Sequence, residues 1–454
     1  MAGDTRHYSG FTVHRSISGC EVNVTSVNAA RSLFLKKTQL RYRPLTVAVR
    51  RALRHSVMIV ADGEEWRRTH DAIIPHLQAS VVSRDYAPVI CAMADETFNH
   101  LAARSAGAGP TPQPLDVDVE RLMRIVVSRV MGHVMFGKTL SVEDAEYLEG
   151  AMNDSTRMVR DGLAAALNRV SGAALQLLRI PQHQPFLYPR AQRLAVEGLI
   201  EWIGAKIDQG NEAGAKRPII ESLGTRFDHL PPARKRRCIS AECVMMFIAG
   251  IETTAATLTF AIAETARDSS VHDHVVEEAR RKENDCPGAD APMIQFPYIH
   301  GVVQETLRRH TIVPTMLREA EGQIELRGNR RGTNCEEKVT IIGHSVLRYL
   351  PMQGNLRRSI WKEPFRFCPS RFAAPLTLEQ NRNFNPFGLG PQSCPGRPLA
   401  TVETVLVLQS FFRRLNLEKK ELRKAIPVER NLLLTIRPVG VTVRVTAASA
   451  WRQP

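Results

Sequence analysis

Cysteine is scarce in this chain and is not arranged for cross-linking. The 454 residues include eight cysteines, and no two of them have the C-x-x-C spacing of a zinc site or a redox motif. This distribution argues against a disulfide framework, which is typical of short secreted domains. We therefore predict a reducing compartment, in which most of these cysteines are small residues of the core.

The amino terminus lacks an apolar segment. Its sequence, MAGDTRHYSGFTVHRSISG, carries charged residues and histidines throughout. A signal peptide or an anchor needs a continuous apolar region, so we predict neither and expect a cytoplasmic protein. The most apolar later stretch, Cys243 to Ala263, contains Glu252 and therefore lacks the roughly 20 uncharged residues of a membrane span. We predict that it is a buried helix and that the chain has no membrane span.

Acidic residues are outnumbered by basic ones. Lys and Arg total 61 against 46 Asp and Glu, which gives a formal net charge of +15 and a pI near 9.8. Such a surface attracts anionic partners, among them nucleic acid, a membrane surface or an acidic redox protein. The basic run from Arg234 to Arg237 lacks the interleaved aromatic residues of a nucleic-acid patch. We predict a solvated turn there and no nucleic-acid partner.

Internal repeats and low-complexity linkers are also absent, and the length alone would allow one large domain or two to three ordinary ones. Apolar residues follow a helical period from about Asn28 to His310. After Val313 short β-type runs appear, such as Lys338 to Ile342 and Val441 to Val445. The pattern predicts a mainly α fold with small β-sheets, in the α+β class.

Reactive chemistry is concentrated around Cys394, in the segment FGLGPQSCPG from Phe387 to Gly396. The cysteine lies in a glycine-rich loop just before a predicted helix from Arg397 to Leu415. Backbone N–H groups and a helix amino terminus near the sulfur favour a thiolate, which can bind iron. The alternative is that Cys394 is a packed core thiol in a turn.

The other residues of this loop are suited to shaping a cofactor site. Gly388 and Gly390 allow the backbone to fold tightly under a flat group, and Gly396 lets the next helix approach. The ring of Phe387 can shield the sulfur from water.

A second polar group interrupts the long apolar helix. Gly250, Glu252 and Thr253 lie in its middle, where a carboxylate is costly to bury without a task. Gly250 removes a side chain and would open room above a cofactor, and a threonine hydroxyl bonded to the carbonyl one turn back can loosen the helix locally. Threonines that merely bond to carbonyls are the alternative.

Two further pairs have helical spacing. Glu305 and Arg308 are three residues apart, so they share one helix face, although such a pair alone is weak support for any function. Trp66 and His70 are four apart, and their ring N–H groups could both donate to a carboxylate.

These segments together, from about Trp66 to Val445, resemble the cytochrome P-450 family of haem-thiolate monooxygenases, and we assign the chain to the soluble bacterial type of that family. The resemblance implies one haem domain over residues 1–454 with the cytochrome P-450 fold, in which haem b (iron protoporphyrin IX) lies between the long central helix and the helix after the cysteine loop. Cys394 would be the iron ligand. Thr253 would hydrogen-bond to dioxygen and Glu252 would relay protons.

The resemblance also implies a supporting network. Arg371, in a segment similar to one that supplies a second arginine in the family, would join Glu305 and Arg308 in a buried ionic cluster that locks the cysteine loop. Removing one member of such a cluster costs about 3 to 5 kcal/mol.

Three residues would hold the haem propionates by the same resemblance, namely Trp66, His70 and Arg318, with Val313 to Leu317 beside the substrate. The chain departs from the family pattern at Gln392 and His70, because the family usually has basic residues there. Haem would then be held less tightly. The amino terminus is short compared with the family, so we expect an abbreviated first helix and first sheet.

The implied reaction inserts one oxygen atom from O2 into a hydrophobic small molecule, by hydroxylation or epoxidation. The sequence has no fused reductase motif, so electrons would come from a separate ferredoxin or flavodoxin with an NAD(P)H-dependent reductase. We expect a monomer. The alternatives are a peroxygenase or isomerase on the same fold, a non-catalytic or sensor-type haem protein, and an enzyme that uses Cys394 as a nucleophile.

Overall fold

The computed structural model describes residues 4–9, 11–16, 19–35, 40–41, 55–60, 63–107, 111–152, 190–209, 216–281, 292–320, 323–329, 336–342, 345–418, 426–430 and 435–448. Helices form most of this part of the chain. Short strands contributed by both ends flank them.

The helices of the described residues are numbered in chain order. They are α1 (Val27–Phe34), α2 (Val57–Val60), α3 (Gly63–Ile73), α4 (Ala79–Val81), α5 (Ala87–Ala106), α6 (Val119–Phe136), α7 (Arg190–Asp208), α8 (Pro218–Arg226), α9 (Pro232–Arg267), α10 (Ser269–Arg280), α11 (Pro292–Gln295), α12 (Pro297–His310), α13 (Pro351–Asn355), α14 (Leu378–Asn383) and α15 (Arg397–Arg414). Residues 142–152 are also helical. A π-helical turn (Val82–Tyr86) precedes α5, and 3-10 turns cover Ile74–Leu77 and Pro369–Phe372.

The strands form a large sheet and several small ones. They are β1 (Asp4–Tyr8), β2 (Phe11–Ser16), β3 (Gly19–Val24), β4 (Leu40–Arg41), β5 (Leu115–Asp118), β6 (Met316–Ala320), β7 (Gln323–Asn329), β8 (Glu336–Ile342), β9 (Ser345–Tyr349), β10 (Leu415–Leu417), β11 (Val428–Arg430), β12 (Ile436–Pro438) and β13 (Thr442–Ala447). The six-stranded sheet has the order β1-β2-β3-β9-β6-β4, and β10-β13-β5, β11-β12 and β7-β8 form the others.

Helix α9 is the central helix of the fold. It begins with Pro232 at a position where the missing N–H costs nothing, and its middle is rich in Ala, Ile, Phe and Thr. It packs against α6, α7, α12 and α15, which bury it from several sides. Within the described residues α9 alone is long and apolar enough to cross a membrane, but 67% of its most apolar stretch is buried inside the fold. A core helix satisfies the same criteria.

The mainly α architecture with small sheets is as predicted. The β-type runs near Val339 and Val443 form β8 and β13, and the helix predicted to end at His310 does end there. The sequence did not predict β5, which interrupts the helical region, or the three strands that the first 24 residues add to the large sheet. Whether the first helix and sheet are abbreviated, and whether residues 1–454 form one monomeric domain, remain predictions.

The basic run Arg234 to Arg237 was wrongly predicted as a turn before the long helix. It lies inside the first turns of α9, because Pro232 starts the helix two residues earlier. Its side chains meet carboxylates of neighbouring segments: Arg236 pairs with Asp208 at 2.7 Å and Lys235 with Asp228 at 2.9 Å. Ion pairs with neighbouring segments thus explain why basic residues are clustered at this end of α9.

Candidate haem-thiolate site

The cysteine loop is held by its own backbone. The N–H of Cys394 donates to the carbonyl of Phe387 at 2.8 Å, and the N–H of Ser393 donates to the carbonyl of Gly390 at 3.0 Å. Gly388 and Gly390 have φ angles of +90° and +78°, which side chains disfavour. The tight fold predicted from these two glycines is therefore present.

Gly390 also lies in close contact with another element. A Cβ there would lie 2.3 Å from the carbonyl oxygen of Phe34 in α1, so only glycine fits. The space at Gly396 is less restricted, because a Cβ would meet the Cys394 sulfur at an ordinary 3.8 Å. The close approach that the sequence assigned to Gly396 therefore occurs at Gly390.

Cys394 has solvent-exposed surface, but many protein atoms lie in its neighbourhood and reduce the hydration of the thiol. Burial raises the pKa of the thiol, whereas hydrogen bonds from the backbone N–H groups of Gly396 and Arg397 and the charge of Arg397 lower it. The predicted amide contribution to the thiolate is thus present but does not outweigh desolvation. A metal cation at the sulfur would supply the missing stabilisation, because coordination deprotonates a thiol.

Arg397 is a site residue that sequence analysis missed. Its guanidinium lies over the Phe387 ring, 5.8 Å from the ring centre, so a cation faces this aromatic side chain of the loop. Phe387 itself is half-buried. Arg397 is the first residue of α15 and follows Cys394 by three positions, and this proximity in the sequence could have identified it as a residue of the site.

One side of the central helix carries a row of half-buried residues, which is called the open face below. Met246, Ala249 and Thr253 are half-buried and lie at intervals of three and four residues, so they share one side of α9. Met245, Ile248 and Gly250 nearby are half-buried as well, whereas the helix beyond Thr253 is almost entirely buried. The hydroxyl of Thr253 donates to the carbonyl of Ala249 at 2.8 Å. This is the carbonyl bond considered from the sequence, and it leaves the hydroxyl oxygen on the open face.

Gly250 does not open room on this face, contrary to the prediction. A Cβ at Gly250 would lie 2.9 Å from the sulfur of Met131 in α6, so the space is already filled. The glycine allows α6 and α9 to approach closely. The sequence could not distinguish an open space from one that a neighbouring helix fills.

Glu252 lies on a different side of the helix from Thr253 and is buried with a partner. Its carboxylate accepts a bond of 2.6 Å from Arg124 of α6, and both side chains are 2% exposed. Glu120 and Glu149 lie 3.8 Å from the same guanidinium. Sequence analysis missed Arg124, because the pair is separated by 128 residues and forms only when two helices cross.

Glu305, Arg308 and Arg371 are brought together. Arg308 donates two bonds of 2.7 Å to the Glu305 carboxylate, and Arg371 donates one of 3.2 Å. Arg308 also donates to the carbonyls of Asn355 and Pro364 at 2.7 and 2.9 Å. Glu305 and Arg308 are fully buried, and the bonds to Asn355, Pro364 and Arg371 tie α12 to the segment that precedes the cysteine loop. The geometry is that of a structural lock.

Trp66 and His70 share one face of α3, and their rings stack with centres 4.5 Å apart. The imidazole Nδ1 lies 3.2 Å from Asp71. Both side chains are half-buried, as is Gln392 in the cysteine loop. Their predicted contacts with haem propionates remain predictions.

Arg318 is buried on β6, close to the cysteine loop. Its guanidinium lies 5.3 Å from the ring centre of Phe34, and it donates to the carbonyl of Leu317 at 2.8 Å. The backbone carbonyl of Phe34 lies beside Gly390, so this one residue has the predicted propionate arginine next to its ring and the cysteine loop next to its backbone.

Comparison with known proteins decides the family. A sequence profile described as Cytochrome P-450 matches residues 20–443. The chain belongs to the cytochrome P-450 family.

Individual cytochromes P-450 are distant relatives. The chain is 28% identical to the geraniol 8-hydroxylase of Swertia mussotii over 47% of its own length and 43% of the relative's. For the geraniol 8-hydroxylase of Catharanthus roseus the values are 26%, 52% and 47%. Human cytochrome P-450 3A7 is 22% identical over 84% of this chain and 74% of its own length. The alignments with the two plant enzymes thus cover less than half of each. The soluble bacterial type remains a prediction.

The residues present fit the haem that this cytochrome P-450 family implies. Cys394 offers a soft sulfur donor in a loop whose positive-φ glycines keep the backbone compact. No group of three or more His, Cys, Asp or Glu residues that could hold another metal occurs in the described part of the chain. Among the described residues, a single thiolate ligand to a cofactor-borne iron is therefore the arrangement that suits the donors.

Replacing Arg124 with methionine is expected to lower the free energy of unfolding at pH 7 by about 3 to 5 kcal/mol, because it leaves the Glu252 carboxylate buried without its opposite charge. Urea unfolding of the purified protein measures this. Arg121→Met is the matched control on the same helix, since its pair with Glu146 is exposed and is worth less than about 1 kcal/mol. Equal losses in both variants would contradict a special role for Arg124.

Proposed function

We propose that the protein is a haem-thiolate monooxygenase that inserts one oxygen atom from O2 into a hydrophobic small molecule, by hydroxylation or epoxidation. The second oxygen atom leaves as water, with two electrons and two protons supplied from outside. The observation that carries the proposal is the cysteine loop, which folds on the positive-φ residues Gly388 and Gly390 and places Cys394 just before the start of α15.

Each residue of the site has its own role in the proposed reaction. Haem b, when bound, supplies the reduction of dioxygen and the cleavage of its O–O bond. Cys394 would hold the iron, and Phe387 with the glycines would shape the loop around the sulfur. Thr253, on the open face of α9, turns its hydroxyl from the Ala249 carbonyl to donate a hydrogen bond. Glu252 moves protons toward it, and Arg124 supplies the opposite charge that keeps this carboxylate in place.

An apolar substrate is supported by the open face of α9. Met246 and Ala249 offer no hydrogen-bonding group there, so binding would rest on apolar contact. Two relatives are named geraniol 8-hydroxylases, which makes monoterpenoid alcohols the first probes to test. A library screen for the change of iron spin state on binding would widen the search.

Electrons come, in this proposal, from a separate ferredoxin or flavodoxin with an NAD(P)H-dependent reductase. The net charge of +15 supports an acidic carrier, because opposite charges accelerate association at low salt. A cytoplasmic location belongs to the same proposal and is supported by the small number of cysteines and by the absence of C-x-x-C spacing in the sequence.

Thr253→Ala is expected to separate electron consumption from product formation. Product should fall by up to about 100-fold, while NAD(P)H oxidation changes only a few-fold and releases hydrogen peroxide, because the hydroxyl that guides protons is lost. Thr253→Ser should restore most of the product. Product and peroxide are measured with a surrogate ferredoxin system and a substrate found in the screen.

Other results would favour the alternatives. Product formation from hydrogen peroxide alone, without a reductant, would indicate a peroxygenase. Haem binding without turnover in any redox system would indicate a sensor. If Thr253→Ala forms product as efficiently as the unchanged protein, the proposed role of the threonine is wrong.

A further inference from the structure

Glu242 is a buried carboxylate that the proposed chemistry does not use. It lies on α9, ten residues before Glu252, and its side chain is completely buried. It accepts a hydrogen bond of 2.8 Å from the Ser56 hydroxyl, another from the backbone N–H of Val57, and a longer one of 3.3 Å from the N–H of Met58. One side chain thus holds the beginning of α2 against the central helix.

The position of Glu242 on the helix relates it to the open face. Glu242, Met246, Ala249 and Thr253 follow one another at intervals of four, three and four residues, so all lie on one side of α9. Eleven residues at about 1.5 Å per residue place Glu242 roughly 16 Å from Thr253 along the axis. The segment Ser56–Met58 therefore lies at the far end of the face that carries Thr253.

We propose that Glu242 is a positioning residue that latches Ser56–Met58 on to the central helix, so that release of this latch controls the access of apolar ligands to the face of Thr253. The inference rests on the proposed haem-dependent function, because that function defines what must reach this face. Thr253 and Glu242 play separate parts, since one acts at the cofactor and the other at the far end of the same face.

The electrostatic surroundings make the latch sensitive to protons. Burial raises the pKa of Glu242 to about 7, opposed by its bonds from Ser56, Met58 and Val57 and by the charge of Arg226 on α8. Of the other titratable groups close to it among the described residues, Cys238 and Cys243 lie on α9 itself, where burial raises the pKa of both thiols, and His55 precedes Ser56 in the latched segment. Those thiols stay protonated near neutral pH, and the Glu242→Gln variant below separates the carboxyl group from His55.

The direction of the effect follows from the two states. When the latch is released and Glu242 is hydrated, its pKa returns toward the ordinary value of 4.5, so the closed state binds the proton more tightly. Closing is therefore favoured at low pH and weakens as the pH rises from about 5 to 7. With pKa values of 4.5 and about 7, the equilibrium constant for opening rises about tenfold between about pH 6 and pH 8.

The test is the rate at which n-butyl isocyanide binds to the reduced haem protein. This probe is apolar and does not titrate, and its binding is followed in the Soret band. We expect an association rate about tenfold higher at about pH 8 than at pH 6. Carbon monoxide, which is smaller, should show a weaker pH dependence in the same preparation.

Two substitutions assign the effect to Glu242. Glu242→Gln keeps an oxygen acceptor for Val57 and cannot ionise, so isocyanide binding should be slow at every pH. Glu242→Ala removes the latch, so binding should be fast at every pH. Glu65→Gln, on the neighbouring α3, makes the same chemical change at an exposed position and should retain the pH dependence of the unchanged protein.

Each outcome decides the matter. A pH-independent rate in the unchanged protein, or a tenfold pH dependence that survives in Glu242→Gln, would overturn the latch. If Glu242→Ala does not fold, the Gln variant still carries the test. Failure of the proposed function has a different signature, because the protein would then show no thiolate-haem spectrum at any pH.

Discussion

Cys394→Ser is expected to abolish the red-shifted Soret band of the reduced, carbon monoxide-treated protein and to reduce turnover to background. The serine hydroxyl is a poor ligand for haem iron and cannot donate electron density as a thiolate does. The surrounding loop should persist, because the bond from the Cys394 N–H to the Phe387 carbonyl involves only the backbone. Absorbance spectra of haem-reconstituted protein, with far-UV circular dichroism to confirm folding, measure this.

Cys368→Ser is the matched control for this substitution. Cys368 is a half-buried thiol whose sulfur lies 3.2 Å from the Ser370 hydroxyl, and only its backbone N–H contacts Glu305. The control should therefore keep both the spectrum and the turnover. A Cys394→Ser protein that retains the unchanged spectrum would leave the assigned iron ligand without support.

Arg308→Leu is expected to lower the free energy of unfolding by about 3 to 5 kcal/mol and to reduce the haem content of the purified protein. The substitution leaves the Glu305 carboxylate fully buried with only Arg371 as a charged partner. It also removes the bonds to the carbonyls of Asn355 and Pro364, which join α12 to the chain leading to the cysteine loop. Urea unfolding and the haem-to-protein absorbance ratio measure the two effects.

Arg309→Leu is the comparison one residue away. Arg309 donates an exposed bond of 3.0 Å to the Phe365 carbonyl, and its guanidinium lies 5.9 Å from the centre of the exposed Phe365 ring, so its loss should cost only about 1 kcal/mol and leave haem content unchanged. If Arg308→Leu were no more destabilising than Arg309→Leu, the buried cluster would not be the lock inferred from its geometry.

Local patterns made the tight fold of the cysteine loop and the Glu305 pair predictable. The cysteine loop joins φ-permissive glycines, a cysteine and a helix start within ten residues, and Glu305 and Arg308 are three residues apart on one helix. The contacts of these residues follow from short-range geometry, and the structure places them accordingly.

Contacts between distant segments were not predictable in the same way. The ion pair of Glu252 with Arg124 and the latch of Glu242 with Ser56 join positions 128 and 186 residues apart. The sequence shows that each carboxylate lies in an apolar helix and needs a partner. Which residue is that partner depends on how the segments cross in the fold. The wrong prediction for Gly250 has the same origin, since Met131 reaches it from another helix.

The most direct test of the account is the difference spectrum of the reduced protein with and without carbon monoxide after reconstitution with haem b. We predict the red-shifted Soret band of a haem that is bound through a cysteine thiolate. A protein that takes up no haem, or that gives the unshifted band of a haem held by nitrogen or by a neutral thiol, would contradict it.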